Sequence, residues 1–252
     1  MNTRVRTSNY KANLAALEAA QKPSVGTPAY SRYINRPAGR RVAAAVHLIG
    51  MTPNVATAIS ASLSGLAILL IAGLEPSAWL GVLIAALLAG GYVMDSVDGQ
   101  LARLRGAGSV SGEWLDHTVD CFKTSMLHLA VLVSFLRFAP WDSSAVLLIP
   151  IGYEVVQVVT YFGLIVVPMM RKIHGVTART AAGPENPWRK WLILPADYGV
   201  TCLIFILFGW QTGFLAAYTA QFLVAGALLA LALVRWWGEL RALDMATSLQ
   251  GA

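Results

Sequence analysis

Six stretches of this 252-residue chain are each apolar over the length a helix needs to cross a bilayer. Their approximate bounds are 54–74, 78–101, 115–138, 144–169, 191–210 and 213–236. A hydrocarbon core about 30 Å thick takes roughly 20 residues of helix. No water reaches a backbone N–H or C=O there, so each segment must close its own hydrogen bonds as a helix or belong to a closed barrel. Apolar runs this long predict helices. The linkers Glu75-Pro76-Ser77 and Gln211-Thr212 leave room only for tight turns between antiparallel neighbours. The expected fold is therefore all-α: a polytopic membrane protein of six transmembrane helices, with an N-terminal interfacial amphipathic helix before them. Composition agrees. Charged residues make up 13% of the chain and hydrophobic ones 56%, where soluble domains carry about 25% charge. A soluble enzyme, a disordered chain and a disulfide scaffold are excluded. The cysteines, Cys121 and Cys202, read as small buried hydrophobes.

The positive charges orient the spans. Seventeen of the 19 Lys and Arg fall before the first span, after the second, after the fourth or after the last. The positive-inside rule then puts both termini in the cytoplasm of a multi-pass protein of the cell membrane. A net charge of +6 reflects this topology and not nucleic-acid binding. Residues 1–28 lack the apolar core of a signal peptide and read as a cytoplasmic tail. Residues 29–50 place Arg32, Arg36, Arg40 and Arg41 at near-helical spacing beside Tyr33, Val42, Val46 and Leu48. They predict a juxtamembrane amphipathic helix starting near Pro37. Residues 51–237 form the membrane domain, and 238–252 a second cytoplasmic tail.

Four aspartates fall within residues 95–120. Asp95 and Asp98 share a face at the end of the second span, and Asp116 and Asp120 share one at the start of the third. The antiparallel hairpin brings these faces together, with the active site on the cytoplasmic side. Two carboxylates about 4 Å apart repel by roughly 4 kcal/mol at an effective dielectric of about 20. Protons or cations must accompany the cluster. An all-oxygen ligand set suits Mg²⁺, Mn²⁺ or Ca²⁺ and not zinc. A pair of such ions clamps a phosphoryl group in transfer. Arg103 follows Asp98 by about one turn and can reach phosphate oxygens, while Gly99 and Ala102 let a ligand approach the backbone.

The pattern D-x2-D-G-x2-A-R-x8-G-x3-D-x3-D, from Asp95 to Asp120, resembles the signature of the CDP-alcohol phosphotransferases. Thr52-Pro53-Asn54-x-x-Thr57 is similar to the opening of that family's first membrane helix. The resemblance covers residues 30 to about 237. It implies transfer of a substituted phosphate from a CDP-alcohol to the hydroxyl of a second alcohol, with release of CMP, in phospholipid or related phosphodiester synthesis. It implies two Mg²⁺ or Mn²⁺ on Asp95, Asp98, Asp116 and Asp120, with Asp120 as general base. Pro53, Asn54, Thr57, Gly99, Arg103, Ser109 and Gly112 would bind the nucleotide. CDP-diacylglycerol is one candidate donor, and a homodimer is expected.

Weaker signals concern the acceptor. Gly112-Glu-Trp-Leu-Asp116-His117 is similar to a motif of choline and ethanolamine phosphotransferases. Arg32-Tyr33-Ile34-Asn35-Arg36-Pro37 resembles the opening of the branch that uses CDP-inositol with a phosphorylated acceptor. Arg36, Lys123, Arg171, Lys172 and Arg179 are candidate acceptor ligands. Lys123, three residues past Asp120, reaches either the metal cluster or a substrate phosphate, or else snorkels. Glu154 lies mid-span with no assigned role. The competing function is a cation- or proton-coupled transporter built on the same aspartates. A transporter predicts internal repeats or helices broken at the midplane. The chain has no repeat, and its acids gather at one membrane face.

Overall fold

The computed structural model describes residues 9–21, 27–106, 108–141, 143–175 and 188–250, with side chains to Met245. Every regular element among these residues is helical. Five helices are long and apolar enough to cross a membrane. They are α3 (Pro53–Gly73), α4 (Ala78–Arg105), α5 (Val110–Phe138), α6 (Leu148–Ile173, extended by a 3₁₀ turn Ser144–Leu147) and α9 (Gln211–Gln250). Before them lie α1 (Tyr10–Ala19) and α2 (Arg36–Val46); between α6 and α9 lie α7 (Arg189–Leu192) and α8 (Tyr198–Ile204).

The apolar stretch expected to cross at 191–210 is not one helix. Pro195 offers no N–H, and Asp197 is extended (φ −72°, ψ 135°), so the chain breaks there and restarts as α8. α8 and the 3₁₀ turn Phe205–Leu207 then run along α4. At one end Gly199 packs on the Tyr30 ring and Asp197 meets Tyr92; at the other Gly209 sits against Ser77 and Ala78. The segment thus covers the Ala78–Tyr92 length of α4, about 21 Å at roughly 1.5 Å per residue. Asp197 caps α8 through the Gly199 N–H (2.9 Å), accepts the Ser31 N–H (2.9 Å) and meets the Tyr92 hydroxyl.

The other differences are at the N-terminus, the C-terminus and one cysteine. Residues 1–28 are expected to be a tail, yet α1 is an ordered helix. Its Leu17 is buried with Ala43, Ala44, Ala56, Val97 and Leu101, and Asn13 donates to the Ala44 carbonyl. The juxtamembrane helix begins at Ala29 rather than near Pro37. Ser31–Asn35 is π-wound, and the Arg36 N–H reaches Ser31 five residues back. This widening fits a proline ring that would crowd the carbonyl four residues before it. The face of α2 carrying Asn35, Gly39, Ala43 and Ala44 is buried by α4 and α1. α9 runs on through the expected C-terminal tail, and Glu239 accepts from both Arg171 and Arg235. Cys202 is buried, but Cys121 is exposed on the outer face of α5.

α3, α4 and α5 form the central bundle, with α6 and α9 outside it. α3 meets α4 through small residues, the close-packing device of membrane helices. Ser60 and Ser64 face Gly91, and the Ser60 hydroxyl donates to the Gly91 carbonyl (2.8 Å). A Cβ on Gly91 would lie 2.5 Å from Ser64 Oγ and 3.2 Å from the Ser60 carbonyl. Exposed Trp79 and Trp210 mark one end of the bundle, and exposed Trp188, Trp191 and Trp237 the other, as interfacial anchors do. Gly91→Val is expected to cost about 1–3 kcal/mol by overpacking. Thermal unfolding in detergent should show it, with Gly65→Val, which meets open space, as the unaffected control.

Candidate active site

The site forms where α4 ends and α5 begins. α4 stops at Gly106, whose positive φ of 65° supplies the left-handed cap that a β-carbon would strain. α5 starts from Ser109, which accepts the Gly112 N–H (3.0 Å). Arg105 ties the end of α4 to the carbonyls of Gly50 and Met51, both at 2.7 Å, which fixes the approach to α3. α3 is itself capped by Thr52, with Pro53 in its first turn. Three helix termini therefore meet around the hairpin.

Ligand oxygens from Asp95, Asp116 and Asp120 lie within 4.8 Å of one another. Asp98 is buried at 7% exposure; it faces Asp116 and accepts the Thr57 hydroxyl at 2.7 Å. A hard divalent cation fits this donor set: carboxylate oxygens converge, and among the described residues no Cys or His joins the group. Arg103 bends back over Gly99, where a Cβ would meet its Nη1 at 3.6 Å. Its Nε is buried without a hydrogen-bond partner, a donor still to be satisfied beside the carboxylates. A Cβ on Gly112 would meet Ser109 Oγ at 2.8 Å and Asn54 Oδ1 at 3.4 Å, so Asn54, Ser109 and Gly112 converge.

The structure brings together most of the residues singled out from sequence. Thr57 stands apart from the others in its contacts, turned inward to Asp98. Lys123 lies inside the cluster, 2.6 Å from Asp95 Oδ1 and 2.7 Å from Asp120 Oδ1. Arg36 approaches Arg103 from α2, and its carbonyl accepts from Gln100. Arg171 pairs with Glu239, and Lys172 is exposed at the end of α6. Arg179 lies outside the described residues. Ser60, which accepts from Lys123 at 3.2 Å, and Tyr161, whose hydroxyl donates to the His117 carbonyl, were not anticipated. The small-residue spacing Ser60, Ser64 was the available signal for the first.

A family model described as CDP-alcohol phosphatidyltransferase matches residues 50–239. No curated protein matches the chain in sequence. Among solved structures, the chain is similar to a Mycobacterium tuberculosis phosphatidylinositol phosphate synthase crystallised with CDP-DAG bound. The identity is 20%, the TM-score 0.52, and the match covers 81% of this chain and 94% of that one. At that identity the likeness is one of fold. Thr57→Val keeps the shape of the buried side chain but strips Asp98 of its donor. Since a hydrogen bond to a charged group is worth about 1.5–3 kcal/mol, turnover should fall roughly ten- to hundredfold. Thr57→Ser should restore it in the same assay of CMP release.

Proposed function

Since this chain belongs to the CDP-alcohol phosphatidyltransferase family, we propose that it moves a phosphatidyl group from CDP-diacylglycerol to the hydroxyl of a water-soluble, anionic alcohol. Membership itself carries the reaction class: a membrane transferase of phospholipid synthesis that takes a substituted phosphate from a CDP-alcohol to a second alcohol. The observation that carries the site is the convergence of Asp95, Asp116 and Asp120 within 4.8 Å, with Asp98 and the unpartnered Arg103 Nε beside them.

In this reading Asp95, Asp98, Asp116 and Asp120 hold two Mg²⁺ or Mn²⁺. Bound there, the ions would neutralise the pyrophosphate and ease departure of CMP. Arg103 takes phosphate oxygens with the donor the fold leaves free. Pro53, Asn54, Ser109 and Gly112 line the cytidine, and Gly99 gives the phosphates access to the backbone. Thr57 acts one step behind, by holding Asp98. Asp120 accepts the proton of the acceptor hydroxyl as its oxygen attacks phosphorus and the bond to CMP breaks. Arg36 carries the acceptor's negative charge, with Lys172 at the end of α6 as a second cation and Arg179 a candidate from sequence alone. Arg171 is the weaker candidate, because Glu239 already neutralises it. The reading includes a homodimer in the cell membrane with its site toward the cytoplasm.

Purified protein given CDP-diacylglycerol and a panel of alcohols should release CMP only with a divalent cation present. Asp120→Asn should lower turnover by at least about a hundredfold while CDP-diacylglycerol still binds. Full activity in excess EDTA, or near-normal turnover of Asp120→Asn, would defeat the mechanism.

The cytoplasmic placement is checked separately. With Cys121 and Cys202 replaced by serine, a cysteine at Ser77 or Thr212 should react with an impermeant thiol reagent outside intact cells. A cysteine at Ser109 should react only after permeabilisation. The reverse pattern would turn the site to the outside.

A further inference from the structure

We infer that Lys123 is a built-in counter-ion of the carboxylate cluster: its ammonium fixes Asp95 to Asp120, so that the α3–α4–α5 junction holds together without bound metal. The inference rests on the reading of these aspartates as a divalent-cation site.

An ammonium has three N–H donors and no acceptor. Here all three are taken, by Asp95 Oδ1 at 2.6 Å, Asp120 Oδ1 at 2.7 Å and Ser60 Oγ at 3.2 Å. Ser60 is free to accept because its own proton goes to the Gly91 carbonyl. Lys123 is only 9% exposed. A side chain so enclosed does not snorkel to water, and it has no N–H left for a substrate phosphate.

Its direction of approach matters as much. Lys123 lies one turn deeper along α5 than Asp120. Ser60 lies deeper along α3 than Thr57, and Gly91 deeper along α4 than Asp95. The ammonium therefore closes the cluster from the membrane interior, opposite Asp98, Asp116 and Arg103. Asp95 and Asp120 each give it their Oδ1, and a carboxylate has further lone pairs to offer a cation arriving from the other side.

Two effects follow from removing the charge. The carboxylates lose a partner that the bilayer cannot replace, and an entering cation loses a repelling neighbour. Lys123 is thus a positioning residue that trades metal affinity for metal-independent folding.

The test uses full-length protein in detergent, with Mn²⁺ binding followed by electron paramagnetic resonance and unfolding followed in EDTA and in saturating Mn²⁺. Lys123→Gln should bind Mn²⁺ at least about tenfold more tightly than the wild type. It should melt lower in EDTA and recover with Mn²⁺. Lys123→Arg, which keeps the charge, should stay close to the wild type in both measurements. Equal or weaker Mn²⁺ binding by Lys123→Gln would overturn the role of Lys123 alone. So would failure of that variant to fold when Mn²⁺ is supplied throughout purification, because the ion should then substitute. Absence of Mn²⁺ binding in wild type and variant alike would overturn the metal reading and this inference with it.

Discussion

Negative charge concentrated at the edge of a medium without water is the constraint around which this molecule is arranged. Four aspartates on two helices would drive those helices apart unless donors surrounded them. The fold supplies donors from two directions, Thr57 from α3 and Lys123 from deeper in α5, and sets the charge of Arg103 near Asp98 in the last turns of α4. The small residues between α3 and α4 belong to the same arrangement. Ser60 joins the two, donating to the Gly91 carbonyl on α4 and accepting from Lys123 on α5. Packing and electrostatics at this junction are one problem with one solution.

Much of this was legible from the residues. Helix positions followed from apolar length, and the pairing of the aspartates from their spacing of three and four. Asn54, Ser109 and Gly112, which the structure brings together, were expected near one nucleotide from the family resemblance. What escaped reading depends on contacts between residues far apart in sequence. α1 has little apolar character of its own and is ordered by what Leu17 and Asn13 find on α2. Hydropathy averages over residues 191–210 and hides Pro195 and Asp197, the two residues that decide where the helix starts. Arg171 counted as a free cation until Glu239, 68 residues away, was placed beside it.

The same distinction separates the two substrates. The half proposed for the donor is built from helix termini whose caps and turns the sequence specifies locally. The acceptor's half, as proposed, draws on α2 and the end of α6, which no single motif connects. Reaction class is accordingly easier to read here than acceptor identity: the shared chemistry is local, and the specificity is assembled.

The hydrogen bond from the Ser31 N–H to Asp197 links positions 166 residues apart. A ribosome finishes the juxtamembrane segment long before it makes the acid that anchors it. During synthesis the π-wound turn before α2 emerges well ahead of α8, so this bond forms only once α8 has been made and laid along α4. A chain arrested before residue 197 would therefore carry all four aspartates while the start of its juxtamembrane segment still lacked this anchor.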